Sequence, residues 1–281
     1  MDIGIFSYNA DYGMEPASLA LACEERGFES LWVGEHTHIP AGRKTPFPGG
    51  GDLPKPYYHM ADPFVSLAMA AAVTNTLKLG TGVCLVVQHD PIVLAKTVST
   101  LDRLSGGRFL FGIGGGWNAD EMENHGFAFD RRWKLLRERI EAMKAIWTEE
   151  QASYAGEFVQ FEQIISHPKP LQTPHPPVLM GGATERSLDR VARYCDGWMP
   201  IDVLIKDPAP YVAKLRRVVE EAGRNPAALS LSIFCQLRTD ADKLKRYQDA
   251  GFSRAILAAP TGDAERVLPR LDGFAELTQT V

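Results

Sequence analysis

The chain has 281 residues, of which 45% are hydrophobic and 23% are charged, and its formal net charge is -5 at pH 7. This composition excludes a disordered, collagen-like or small disulfide-rich protein, and it provides enough apolar residues for one large core. Because acidic and basic residues are interleaved without a basic stripe, nucleic acid is not an expected partner.

Short apolar runs alternate with helical patterns along the whole chain. The runs predict strands at Ile3–Ser7, Ser30–Val33, Lys78–Val86, Arg108–Ile113, Val178–Met180, Gly197–Met199, Leu229–Phe234 and Arg254–Leu257. Each run is followed by a helix, or by a loop and a helix, which is the repeat of a parallel α/β sheet. Most of the runs are continuously apolar, as expected for strands that are buried on both faces.

Three predicted helices begin with an aspartate followed by proline, at Asp62, Asp90 and Asp207. An aspartate can cap the free N–H groups of a first turn, and proline fits the first helical position. Gly27 follows a helical run and is placed to end the first helix in the left-handed conformation.

The segment 131–147 has the pattern of an amphipathic helix. Its apolar residues recur at i, i+3 and i+4 spacing: Trp133, Leu136, Ile140, Met143 and Trp147. We interpret this stripe as core packing rather than as part of a ligand site.

Eight such units predict a (β/α)8 TIM barrel that forms a single domain over residues 1–281. Loop insertions are expected after strands 2 and 4 and before strand 5, at 35–60, 114–130 and 147–177. The last of these contains a predicted small hairpin at 154–158. Loops longer than about 12–15 residues are usually functional or disordered, and catalysis in this fold takes place at the carboxyl ends of the strands.

The N-terminus lacks the basic and apolar pattern of a signal peptide. The longest apolar segment, 64–73, is far shorter than the roughly 18 residues of a membrane span. The chain has four scattered cysteines, Cys23, Cys84, Cys195 and Cys235. Their spacing fits neither a metal knuckle nor a redox pair. Together, these three features predict a cytoplasmic protein without a membrane partner.

Two motifs at predicted strand ends suggest binding sites. His36 and His38 alternate with Thr37, and such a pair is one element of a barrel metal site, although the later strand ends offer few further ligands. Gly181, Gly182, Ala183 and Thr184 join a strand to a helix start, where backbone N–H groups can bind a phosphate. The glycine-rich run 112–117 lacks the third glycine of a dinucleotide fingerprint, because Trp117 stands in its place.

Several of these segments together resemble the luciferase-like monooxygenase family, which is an insertion-bearing (β/α)8 barrel. The resemblance is carried, in order and with natural spacing, by Leu31–His36, Leu79–Val83, Leu101–Asn118, Pro177–Gly182 and Asp196–Trp198. It implies a flavin or deazaflavin cofactor at the mouth of the barrel, and usually a dimer.

The resemblance also implies roles for individual residues. His36 is the implied catalytic residue in the substrate pocket, with Glu35 beside it. A non-proline cis peptide between Gly82 and Val83 is implied to support the cofactor ring from behind. Other implied cofactor-binding residues are Gly116, Trp117 and Asn118 of the fourth-strand turn, and Gly181, Gly182, Ala183 and Thr184 at the phosphate.

The fourth-strand turn resembles a branch that uses coenzyme F-420, an 8-hydroxy-5-deazaflavin. This implies hydride transfer between F-420 and a small organic substrate. The alternatives are a two-component monooxygenase dependent on FMN, a non-catalytic flavin-binding barrel and a metal-dependent hydrolase. Alcohol-oxidising members carry an acidic residue where this chain has Trp117, so the resemblance does not imply that activity.

Two further features concern partners. The helices predicted at 63–74 and 91–104 are rich in apolar residues and suit a homodimer interface. The basic pairs Arg43-Lys44 and Arg131-Arg132 are candidates to contact the oligoglutamate tail of F-420.

Overall fold

The computed structural model describes residues 1–278, so residues 279–281 of the predicted domain lie outside it. Its strands are β1 (Asp2–Ser7), β2 (Ser30–Val33), β3 (Lys78–Thr81), β4 (Phe109–Ile113), β5 (Ala152–Ala155), β6 (Gln160–Ile164), β7 (Val178–Gly181), β8 (Gly197–Met199), β9 (Ser230–Cys235) and β10 (Arg254–Ala258). Its helices are α1 (Pro16–Glu25), α2 (Pro63–Val73), α3 (Pro91–Leu104), α4 (Ala119–Asn124), α5 (Arg132–Thr148), α6 (Glu185–Tyr194), α7 (Pro208–Glu221), α8 (Ala241–Ala250) and α9 (Ala264–Thr278).

Eight parallel strands close into a barrel in the order β1, β2, β3, β4, β7, β8, β9, β10. The closure is made at β1, where Ile5 lies opposite Leu31 of β2 on one side and Leu257 of β10 on the other. The remaining strands, β5 and β6, form a separate antiparallel hairpin in the loop before the fifth barrel strand. The predicted (β/α)8 barrel and its hairpin are therefore confirmed.

The third barrel strand is shorter than the predicted run of 78–86. It ends at Thr81, and a 3-10 turn follows at Val86–Gln88. Cys84 and Val86 are nevertheless fully buried. A continuous apolar run marks burial, and it does not distinguish a strand from a buried turn.

The predicted helix caps are present. The side chain of Asp62 accepts from the N–H of Val65 at 2.9 Å, and that of Asp90 accepts from two N–H groups of α3. Asp207 caps α7 in the same way, and Gly27 has a φ of +74° just after α1. Within residues 1–278, every helix is too short or too polar to span a membrane.

A layer of large side chains fills the barrel interior below its mouth, including Trp32, Leu110 and Met199. The indole N–H of Trp32 donates to Ser30 Oγ at 2.7 Å. A Cβ on Gly80 would lie 2.3 Å from the Trp32 ring, so that only glycine fits beside this indole. This layer of the barrel interior is therefore a packed core.

Candidate active site

A cavity of about 310 Å³ opens at the carboxyl ends of the barrel strands. Small-molecule sites have volumes of roughly 300–1,000 Å³. The aromatic part of its lining consists of Phe6, Tyr8, Tyr57, Trp117, Trp133 and Phe234. The glycine part consists of Gly34, Gly82, Gly114, Gly115, Gly116, Gly181 and Gly182. Such a lining suits a flat, largely apolar group that contacts few polar side chains.

The backbone turns toward the cavity directly after β3. The peptide bond between Gly82 and Val83 is cis, and both residues line the cavity. The N–H of Gly82 donates to the Val33 carbonyl at 2.6 Å, and the N–H of Cys84 donates to the Gly112 carbonyl at 2.8 Å. The turn is therefore tied to the strands on both sides and forms a fixed wall of the cavity.

His36 also lines the cavity, and a buried carboxylate orients its ring. His36 Nδ1 is 2.6 Å from Oε2 of Glu121, whose side chain is fully buried. The other oxygen of Glu121 accepts from the N–H of Thr37 at 3.2 Å. Because Nδ1 is occupied, Nε2 is the ring nitrogen that can contact a bound molecule, and no residue within 1–278 bonds to it.

Glu35 adjoins His36 in sequence but has different partners. Its carboxylate accepts from the N–H of Leu85, and it lies 2.7 Å from Nε2 of His89. Burial acts to lower the pKa of His89, but the hydrogen bond and the charge of Glu35 outweigh it and raise that pKa above its ordinary value. Glu35 thus lines the cavity and also anchors the turn that follows Gly82 and Val83.

The ends of β4 and β7 present glycine backbone to the cavity. A Cβ on Gly181 would have no neighbour closer than 3.5 Å, so packing does not require glycine there and a side chain would use open cavity space. Gly116 has a φ of +70°, which glycine adopts without strain, and Trp117 follows it in the wall. A planar ring can therefore approach the backbone closely at both strand ends, which fits a flavin or a deazaflavin.

Three predicted cofactor-binding residues lie next to the cavity rather than in its lining. Asn118 caps α4, and its side-chain nitrogen is buried without a partner in the described part of the chain. Thr184 caps α6, and Ala183 precedes it directly after Gly182. Their role in cofactor binding stays a prediction.

His36 and His38 have separate hydrogen-bond partners. The ring nitrogens of His38 lie 3.0 Å from Thr37 Oγ1 and 2.9 Å from Asn124 Nδ2, whereas His36 bonds to Glu121. Thr37 links His38 to the same Glu121 that contacts His36, but each imidazole bonds to different partners. Among the described residues, the group of potential metal ligands that the structure brings together is Glu35, Cys84 and His89, and it contains neither His36 nor His38.

Some residues of the candidate site were not identified from the sequence. Glu121 and Tyr57 come from the insertions after strands 4 and 2, whose conformation follows no local periodicity. Trp133 was assigned to the core with the rest of its stripe, and it does pack against the core as a partly buried residue, but its contribution to the cavity was missed. The later residues of the stripe are buried, but Trp133 begins α5 and lies in the cavity wall. Its position at the helix start, beside the barrel mouth, was the available signal.

Comparisons with known proteins agree with this architecture. The family model for luciferase-like monooxygenases matches residues 10–279. The uncharacterised protein Rv0953c of Mycobacterium tuberculosis is 42% identical over 271 residues, which is 94% of each chain. The FMNH(2)-dependent dimethylsulfone monooxygenase of Pseudomonas putida is 34% identical over 110 residues, 38% of this chain and 30% of that protein.

Among solved structures, an F-420-dependent secondary alcohol dehydrogenase superposes with a TM-score of 0.78 at 17% sequence identity. The match covers 100% of this chain and 98% of the dehydrogenase, and at this identity it shows a shared fold. Since the family model covers nearly all of the chain and a relative of 42% identity matches it along almost its whole length, the protein belongs to the luciferase-like monooxygenase family.

Proposed function

We propose that this protein is an oxidoreductase that transfers a hydride between coenzyme F-420 and a small organic substrate. The observation that carries this proposal is the cavity at the strand ends, where a glycine-lined surface for a flat ring adjoins the oriented side chain of His36. The deazaflavin, when bound, supplies a ring carbon that carries hydride. The protein supplies binding, orientation and a proton.

The cofactor assignment is supported by two segments. The turn containing Gly116 and Trp117 resembles the deazaflavin branch of the family. Gly182 and Thr184 lead into α6, whose first N–H groups provide an anion site suited to a phosphate. Gly82 and Val83 would support the ring from behind, since their turn is held by the neighbouring strands.

His36 is the group we assign to proton transfer. Its Nδ1 faces the Glu121 carboxylate, so Nε2 accepts or donates the proton of a substrate oxygen or nitrogen. The contact with the buried carboxylate holds the imidazole in one orientation, with Nε2 toward the bound substrate. Imidazole can exchange a proton in either direction near neutral pH.

The substrate is expected to be small and largely apolar. The ring centroids of Trp117 and Tyr57 lie 5.7 and 5.4 Å from that of His36, so that aromatic surfaces flank the reactive nitrogen. Burial and the nearby Tyr8 raise the pKa of Tyr57, which keeps its hydroxyl neutral. A planar substrate can pack on these rings while a polar atom contacts His36.

The test is a cofactor titration followed by a turnover assay. We expect F-420 to bind with micromolar or better affinity. The variant His36→Ala should lose turnover by about a hundredfold or more with cofactor affinity nearly unchanged, and His38→Ala is the matched control. Tight binding of FMN with no binding of F-420 would overturn the proposal.

A monooxygenase that uses reduced FMN is the second candidate. It is favoured by the 34% identity to the dimethylsulfone monooxygenase over 110 residues. Oxygen consumption that depends on supplied reduced FMN and on the protein would support it. The same protein would then show no exchange of hydride with F-420.

A further inference from the structure

A second concave surface lies between α5 and α6, on the outer side of the cavity wall. It is a groove of about 560 Å³, here called the arginine groove, and Trp133, Arg186, Arg190, Arg193 and Tyr194 are among its lining residues. Five of the eight lining residues are basic and one is acidic. This sign of charge contrasts with the net charge of -5 of the whole chain.

The three arginines of α6 share one side of the helix. Arg186, Arg190 and Arg193 are spaced at i, i+4 and i+7, which places them along one face over about 10 Å. Within the described residues, none of them has a carboxylate within 4.0 Å. By contrast, Lys134 is paired with Glu157 in the same region. The arginine groove therefore carries positive charge that the protein itself does not neutralise.

The groove also contains a buried hydroxyl without a partner. Tyr194 is 7% exposed, and its hydroxyl is buried with no hydrogen bond from the described part of the protein. Burial raises the pKa of this hydroxyl, so it remains protonated and can donate. A buried donor without an acceptor is costly, and an anionic ligand in the groove would provide the acceptor.

Trp133 separates the arginine groove from the candidate active site. Trp133 lines both spaces, and Arg190 stacks on its ring with the guanidinium carbon 3.8 Å from the centroid. The glycine turn that ends at Gly182 leads directly into α6, on which the three arginines lie. A flexible chain leaving a phosphate at this turn would pass along the groove.

We propose that the arginine groove binds the anionic tail of the deazaflavin, a phosphodiester followed by a series of carboxylates. This inference rests on the proposed function. Several negative charges in series match three arginines along about 10 Å, whereas the single phosphate of FMN matches one anion position. The groove thus favours a long polyanionic cofactor over FMN.

The basic pairs suggested by the sequence are less suited to this role. Arg131 pairs with Glu157, and Arg132 packs its guanidinium on the ring of Phe129. Arg43 lies over Trp117, at the mouth of the cavity. The face of α6 differs from these pairs in presenting three arginines in series along one groove.

The experiment measures the affinity of three probes by fluorescence titration at low and high salt. The probes are the deazaflavin without phosphate or tail, the phosphodiester form without glutamates, and the form with four glutamates. We expect the glutamates to increase affinity by about tenfold, because several exposed charge pairs each add a fraction of a kcal/mol. High salt should remove most of this gain.

The test variant is Arg186→Gln combined with Arg193→Gln, which leaves Arg190 stacked on Trp133. It should lose most of the gain from the glutamates while binding the tailless deazaflavin like the wild type. Arg217→Gln on the exposed face of α7 is the control. The proposal for the arginine groove is overturned if the wild type binds the forms with and without glutamates equally well. It is also overturned if the double variant loses affinity for all three probes to the same extent. Failure of every deazaflavin to bind overturns the proposed function as well.

Discussion

The contact between His36 and Glu121 shows how a single buried carboxylate determines the chemistry available to a site. The two residues are 85 positions apart in sequence and lie 2.6 Å apart in space. Glu121 occupies Nδ1, and this leaves Nε2 at the cavity. Because Glu121 acts through His36, it is a positioning residue, and its effect on turnover should depend on the presence of the imidazole.

We predict that Glu121→Gln lowers kcat by about tenfold or more, since a positioned proton-transfer group contributes about 10²- to 10⁴-fold. Cofactor affinity should change little. The informative measurement is the double variant with His36→Ala, which should be no slower than His36→Ala alone, because the two residues act as one unit. Glu123→Gln, on the same short helix and exposed, is the control. If the losses of turnover add up in the double variant, the assignment of Glu121 as a positioning residue for His36 is contradicted.

A second histidine–carboxylate pair predicts a pH dependence of stability. Glu35 raises the pKa of His89 against the effect of burial. The charged pair therefore makes its full contribution to stability at pH values below the ordinary histidine pKa of about 6.5. The contribution is lost as pH rises through the higher folded-state pKa. Free energies of unfolding in urea should fall over that window in the wild type.

The variant His89→Gln should lack this fall in stability above about pH 6.5. His167→Gln is the control, because His167 and its partner Glu150 are both largely exposed and such pairs contribute little. Parallel pH profiles for wild type and His89→Gln would show that the pair is not responsible.

At the level of residues, the sequence was informative where a motif of the family is local. His36, Gly82, Gly116 and Gly181 all line the cavity, as expected for groups that follow strand ends. Glu121 was not found, because its contact with His36 depends on the conformation of two long loops. No periodicity or spacing in either loop encodes that contact.

At the level of elements, hydrophobic runs and cap residues predicted the barrel strands closely. The strands Ser30–Val33 and Gly197–Met199 have their predicted bounds. The end of β3 was misplaced because the buried turn after Thr81 is as apolar as the strand. Apart from the hairpin at 154–158, the long connections were predicted only as loops, and the contacts that hold them are visible in the structure alone.

Asp102 of α3 holds one such connection, the segment that leads into β7. Its buried carboxylate accepts from the N–H groups of Leu171 and Gln172 at 2.7 and 2.9 Å. We predict that Asp102→Ala lowers the free energy of unfolding by about 3 kcal/mol, because several buried donors lose a charged acceptor. Asp207→Ala removes an exposed helix cap and should cost about 1 kcal/mol. Urea denaturation compares the two, and equal costs would contradict the role of Asp102.

At the level of the whole molecule, the two ends of the barrel serve different purposes. Glu29 and Arg254 pair beside the start of β1, where the barrel closes, with Nε and Oε2 2.7 Å apart. Burial acts to raise the pKa of Glu29, but the hydrogen bond and charge of Arg254 lower it to about 2. This pair holds β10 against the start of β2 at the amino ends of the strands, while glycines and aromatic rings line the cavity at the carboxyl ends.

The outer surface of the barrel carries an apolar stripe that predicts self-association. Val65, Met69 and Val73 recur every four residues along α2, and they are 64%, 44% and 37% exposed. Val93 of α3 is 64% exposed as well. An exposed apolar stripe of this kind is typical of a protein interface, so we predict a homodimer formed through α2 and α3.

The variant Val65→Lys combined with Met69→Lys should sediment as a monomer, because it would place two charges in the apolar centre of the interface. The wild type should sediment as a dimer at the same micromolar concentration. Leu237→Lys is the matched control, since Leu237 is 54% exposed but follows β9, away from α2. Analytical ultracentrifugation tests this. A monomeric wild type would contradict the predicted homodimer, and a double variant that still dimerises would show that the stripe is not part of the interface.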